Sequence, residues 1–81
     1  MMQDDEILQR IAEVARDKLD YSGELRRDMR LVEDLELDSI RLLTLAMEVE
    51  DRFHVCLDEE DEEGIVTVAD LVGVVRRKLA A

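Results

Sequence analysis

Residues 39–53 read Ser-Ile-Arg-Leu-Leu-Thr-Leu-Ala-Met-Glu-Val-Glu-Asp-Arg-Phe, and the order of these side chains decides the fold. At about 100° per residue, Leu42, Leu45, Ala46, Val49 and Phe53 fall on one inward side of a helix. Arg41, Thr44, Glu48, Asp51 and Arg52 form a polar stripe. Ile40 and Met47 run along the edge of that stripe. Spacing favours a core position for both, although methionine also suits a surface that adapts to several partners. Glu50 falls beside the apolar side with no evident role. Asp38-Ser39 heads the helix, and either side chain can accept a bond from a free backbone N–H as its cap.

The rest of the chain has the same period. Ile7, Leu8, Ile11, Val14, Ala15 and Leu19 line one face of a first helix, which Asp4 or Asp5 can cap and Asp20-Tyr21-Ser22-Gly23 ends. A connection follows whose Leu25, Met29, Leu31, Val32 and Leu35 imply that it is pinned to the core. A short third helix is expected in the acidic stretch after Asp58. A last helix begins near the cap residue Thr67, with Val68, Leu71, Val72, Val75 and Leu79 on one face. Arg76, Arg77 and Lys78 close it, the charge that suits the negative end of a helix dipole. Gly73 costs this helix about 1 kcal/mol relative to alanine, for which close approach to a neighbour is the expected compensation. The fold class is all-α: a small four-helix bundle of three main helices and a short third one.

Length and composition bound the function. The 81 residues contain no proline and three widely separated glycines, so residues 1–81 form one domain without a linker or repeat. So short a chain leaves little room for an enclosed catalytic site. The single cysteine, Cys56, excludes an internal disulfide and a multi-cysteine metal site. No apolar run approaches the ~20 residues that span a bilayer, and the beginning of the chain is acidic where a secretory signal is basic. The expectation is a cytoplasmic monomer without a membrane partner.

The net charge of −11 is unevenly spread. Residues 33–63 hold thirteen acidic side chains against Arg41 and Arg52 alone, and this middle third carries the whole excess. Nucleic acid is excluded as a partner, because phosphate binding needs clustered Lys and Arg. A basic protein surface is favoured, since an acidic patch steers encounter with it. A non-covalent acidic adaptor also accounts for the charge. The run Asp58 to Glu63 lacks the spacing of a calcium loop and reads as a solvated surface rather than a metal site. His54 stands without ligand partners. Ser39 lacks a nucleophile-elbow pattern and a base, so no catalytic residue is assigned.

The segment Leu31-Val32-Glu33-Asp34-Leu35-Glu36-Leu37-Asp38-Ser39-Ile40 closely resembles the surroundings of the modified serine in acyl carrier proteins. Leu45 to Phe53 resembles that family's second helix, Leu57 and the acids after it its loop and third helix, and Ile65 to Leu71 the start of its fourth. The resemblance implies a carrier that is not itself an enzyme. Ser39 would be esterified with 4′-phosphopantetheine from coenzyme A, whose thiol holds an acyl group as a thioester. Asp38 would help engage the phosphopantetheinyl transferase. Ile40, Arg41, Thr44, Met47, Glu48 and Asp51 would face acyl-transfer and chain-elongation enzymes with basic docking surfaces. Leu42, Leu45, Val49, Leu57, Ile65, Val68 and Leu71 would form the interior against which an acyl chain lies. An aminoacyl or peptidyl carrier is the close alternative.

Four positions depart from that pattern. Glu36 stands where carriers of primary fatty-acid synthesis usually have glycine, and Ile40 replaces their leucine. Arg41 and Thr44 occupy positions that are commonly acidic. A basic Arg41 would repel a partner's cation placed to meet an acid, which points to a specialised lipid or polyketide carrier.

Overall fold

The computed structural model describes residues 2–80. Its helices are α1 (Asp4–Lys18), α2 (Ser39–Phe53), α3 (Glu59–Glu63) and α4 (Val68–Ala80), an all-α bundle as the periodicity requires. α1 packs against both α2 and α4. Ile7, Ile11 and Val14 from α1 meet Leu45, Val49 and Phe53 from α2 and Val68, Leu71, Val72 and Val75 from α4 in one core.

α1 begins without the expected side-chain cap. Gln3 is its N-cap residue and makes no side-chain cap bond. Asp4 and Asp5 lie inside the first turn, where their charge still suits the positive end of the helix. Their carboxylates instead accept bonds from Arg76 (2.8 Å) and Arg27 (3.0 Å), tying α1 to α4 and to the long connection. At the other end Asp20 turns left-handed, with φ 56°, and the Tyr21 N–H returns to the Ala15 carbonyl at 3.0 Å.

The connection from α1 to α2 is fastened at three backbone points. Leu31 N–H donates to Val66 O at 3.0 Å, while Val68 and Ala69 N–H donate to Met29 O and Arg27 O at 2.9 Å each. Leu31, Leu35 and Leu37 are buried by this arrangement and Leu25 and Met29 half-buried, but Val32 points outward. The Thr67 cap of α4 forms as expected. Asp70 N–H donates to Thr67 Oγ1 (3.2 Å), and Asp70 Oδ2 accepts from Thr67 and Val66 N–H (3.0 Å each). Those bonds hold the Asp70 carboxyl below the usual range, the Thr67 N–H contributing most.

Three residues behave differently from their sequence reading. Glu50 has a structural role: its Oε2 accepts the Leu57 N–H at 2.9 Å and fixes the loop leaving α2. Arg52 reaches Glu13, Asp17 and Glu48, each at 3.8 Å, and so clamps α2 to α1. Gly73 is not kept by a close neighbour, because a Cβ there would find open space within 4 Å. Among the described residues no helix is long and apolar enough to cross a membrane.

Candidate functional site

The approach to α2 is built to end on an exposed serine. Asp34 Oδ2 accepts the Arg30 N–H at 2.7 Å and closes a turn over residues 30–34. Glu36 then takes the left-handed conformation, with φ 55°. That reversal sends Leu37 into the core, where it is 3% exposed, and leaves Asp38 and Ser39 on the surface. Between the two possible caps the structure is decisive. Asp38 is the N-cap and its Oδ1 accepts the Arg41 N–H at 2.8 Å. Ser39 is the first helical residue, and among the described residues its hydroxyl has no hydrogen-bond partner.

The surroundings of that hydroxyl suit an anion. The first turn of α2 contains no acidic residue, whereas those of α1, α3 and α4 each contain at least one. The positive end of the helix dipole and its free N–H groups therefore face solvent beside Ser39. A phosphate esterified there would meet the uncapped Ser39 and Ile40 N–H groups, with the Asp38 carboxylate held on the Arg41 N–H.

Ser39 also lines a cavity of about 370 Å³ between α2, α3 and the start of α4. Its other walls are Leu31, Leu42, Leu43, Leu45, Ala46, Leu57, Glu62, Ile65 and Leu71. Five residues grouped by sequence as an acyl-binding interior are thus brought together: Leu42, Leu45, Leu57, Ile65 and Leu71. Val49 and Val68 are not, since both lie wholly enclosed in the core away from the cavity. Leu43, Ala46 and Leu31 were missed. Leu43 was legible, because it lies three residues after Ile40 and four before Met47 and completes their stripe.

That stripe corrects the core assignment of two residues. Ile40 is 76% exposed and Met47 58%, with Leu43 at 59% between them. Leu45, Val49 and Phe53 turn inward instead, so the three exposed apolar side chains stand on the opposite face of α2. Arg41 and Asp51 are exposed beside them. Thr44 is half-buried and donates its hydroxyl to Ile40 O at 3.0 Å, and Glu48 is half-buried against Arg52.

α3 forms the remaining wall through Glu62, and charge rather than apolar burial holds it. Asp58 and Asp61 form a reciprocal capping box. Asp61, which sequence placed in a solvated run, is buried and accepts bonds from Lys78 (2.8 Å) and Arg77 (3.0 Å) at the end of α4. The Lys78 ammonium, followed by the Asp58 N–H, holds the Asp61 carboxyl down to about 2, and Lys78 is raised in return. Among the described residues no group of three or more His, Cys, Asp or Glu is placed to hold a metal ion. Cys56 and His54 are exposed, and His54 ends α2 with φ 55°.

Comparison with known proteins agrees with this architecture. A family model described as a phosphopantetheine attachment site matches residues 9–75. The chain is 35% identical over 78 residues to an acyl carrier protein of Prochlorococcus marinus, covering 95% of this chain and 98% of that one. A crystal structure of an acyl carrier protein from Thermotoga maritima matches with a TM-score of 0.84 at 28% identity, over 98% of this chain and 93% of that one. A 3-oxo-butyl carrier protein of the actinorhodin polyketide synthase in Streptomyces coelicolor matches at 0.63 and 27% identity, over 98% and 92% of the two chains.

Proposed function

Because this chain belongs to the acyl carrier protein family, a family of carriers rather than catalysts, we propose that Ser39 is the residue that bears 4′-phosphopantetheine and that the adjoining cavity receives the acyl chain. The arm supplies a thiol that holds the cargo as a thioester. The observation that carries the assignment is the division of labour at the head of α2. Asp38 alone caps the helix, which leaves the Ser39 hydroxyl exposed, unbonded and set against free N–H donors.

The chain's own residues do three things in this account. Ser39 Oγ attacks the phosphorus of coenzyme A that bears the pantetheine, displaces the adenosine bisphosphate and gives its proton to the transferase. The amide groups at the start of α2 then offset the charge of the new phosphodiester. The apolar walls of Leu42, Leu45, Leu57, Ile65 and Leu71 exclude water from an acyl chain, in a volume typical of the roughly 300–1,000 Å³ clefts that hold small molecules. Asp38 and Asp51 are carboxylates for basic enzyme surfaces, and Ile40 and Met47 are apolar anchors there. The reading is of a specialised carrier for lipid or polyketide synthesis, supported by the reversed charge at Arg41.

Incubation with a phosphopantetheinyl transferase, coenzyme A and Mg²⁺ followed by intact-mass measurement tests the assignment. One phosphopantetheine adduct is expected on the native chain and none on Ser39→Ala. An adduct that survives the substitution refutes it. The holo chain should then turn over faster with enzymes encoded beside it than with a housekeeping ketosynthase. Faster loading by an amino-acid-activating enzyme would replace the acyl reading with an aminoacyl one.

A further inference from the structure

We propose that Arg41 selects the partner enzyme, by pairing with a carboxylate that lies beside an apolar socket for Ile40, Leu43 and Met47. The inference rests on the reading of Ser39 as the attachment point and deepens it by stating the chemistry of the surface that docks there.

Residues 33–63 contain two cations among thirteen acids. Arg52 is committed to Glu13, Asp17 and Glu48. Arg41 is exposed, and among the described residues no carboxylate lies within 4.0 Å of its guanidinium. Asp38, the carboxylate nearest in sequence, accepts the backbone N–H of Arg41 instead. Arg41 also stands in the first turn of α2, where the helix dipole disfavours a positive charge. Neither capping, nor pairing, nor packing within the chain accounts for a bare guanidinium at this place.

Its neighbours show what a partner would meet. Five large apolar residues are conspicuously exposed: Val32, Ile40, Leu43, Met47 and Val66. Three share one face of α2. Val32 and Val66 follow Leu31 and Ile65, two lining residues of the cavity, on segments joined by the Leu31 N–H to Val66 O bond of 3.0 Å. The apolar surface therefore borders the cavity that Ser39 also lines. Arg41 lies about 100° round α2 from Ile40, on the side of Glu48 and Arg52. A complementary protein surface has an apolar socket, a carboxylate on the flank that meets Arg41, and cations for Asp38 and Asp51. A uniformly basic surface places like charges together at Arg41, which suppresses docking. A carboxylate there gains a charge-assisted pair that arginine can make in bidentate form.

A charge swap tests this with purified holo chain, its loading confirmed by mass. The probe is a ketosynthase with a uniformly basic carrier-docking surface, together with its variant in which the cation facing position 41 becomes glutamate. Acyl transfer is measured for native chain, Arg41→Glu and Arg41→Lys. With the basic enzyme, Arg41→Glu should raise kcat/KM about tenfold, through KM and less at high salt. With the glutamate variant the order should reverse, and Arg41→Lys should follow the native chain in sign. Equal kcat/KM for Arg41→Glu and native chain with both enzymes overturns the inference. So does an effect of the same sign with both. Failure to accept phosphopantetheine at all strikes the Ser39 reading instead, before Arg41 is tested.

Discussion

Replacing Glu36 by glycine should stabilise the protein, although glycine usually loosens a loop. Glu36 holds φ at 55°, where a Cβ crowds the carbonyl that follows. A residue other than glycine gives up about 1–2 kcal/mol in that conformation. Among the described residues its exposed carboxylate makes no hydrogen bond or ion pair to set against that cost. Glycine removes the crowding but adds freedom to the unfolded chain, worth about 0.5–1 kcal/mol. The balance is a gain centred on about 0.75 kcal/mol, or a rise of roughly 3–6 °C in Tm for a domain of this size. Thermal and urea unfolding of Glu36→Gly measure it, and Glu36→Ala is the control. Alanine loses the same charge but keeps a Cβ at positive φ. If alanine stabilises as much as glycine, the gain comes from relieved acidic repulsion and the conformational argument is refuted.

Gly73→Ala should add about 1 kcal/mol to stability by urea unfolding, because the helix gains a better former and its Cβ meets open space. Acid should loosen α3 selectively: the Asp61 carboxyl lies near 2, below its ordinary value of 3.8, so its stabilisation is complete above that value and is lost as pH falls through about 2. The Tm of Asp61→Asn should accordingly lie below that of the native chain at neutral pH and converge towards it in acid. A constant Tm difference down to the lowest pH would contradict the Lys78 pairing.

The helices were legible because their signals are local. The period of Leu45, Val49 and Phe53, the Asp38-Ser39 start and the Thr67 cap each act within a turn or two, and α2 and α4 begin where those residues indicate. What sequence did not reveal depends on distant groups. Ile40 and Met47 are as apolar as core residues, and only the packing of α1 against α2, whose Leu45, Val49 and Phe53 turn into the core, leaves them exposed. Asp61 looks like its five acidic neighbours until Arg77 and Lys78 arrive from α4. Glu50 likewise acquires its role when the chain returns to present the Leu57 N–H. At the candidate site, the serine and much of the cavity wall follow from the resemblance. The free Ser39 hydroxyl follows only from seeing which residue forms the cap.

The central claim is that the arm sits on Ser39, and locating the modification by peptide mass tests it most directly. The chain has two serines, Ser22 and Ser39, both exposed. Trypsin cutting after Arg30 and Arg41 releases Leu31 to Arg41, in which Ser39 is the sole hydroxyl side chain. In holo protein that peptide should carry the whole phosphopantetheine mass, while the peptide Leu19 to Arg26, which contains Ser22, remains unmodified. The mass on the Ser22 peptide, or an unmodified Leu31 to Arg41 peptide from a chain that has gained one arm, would contradict the account.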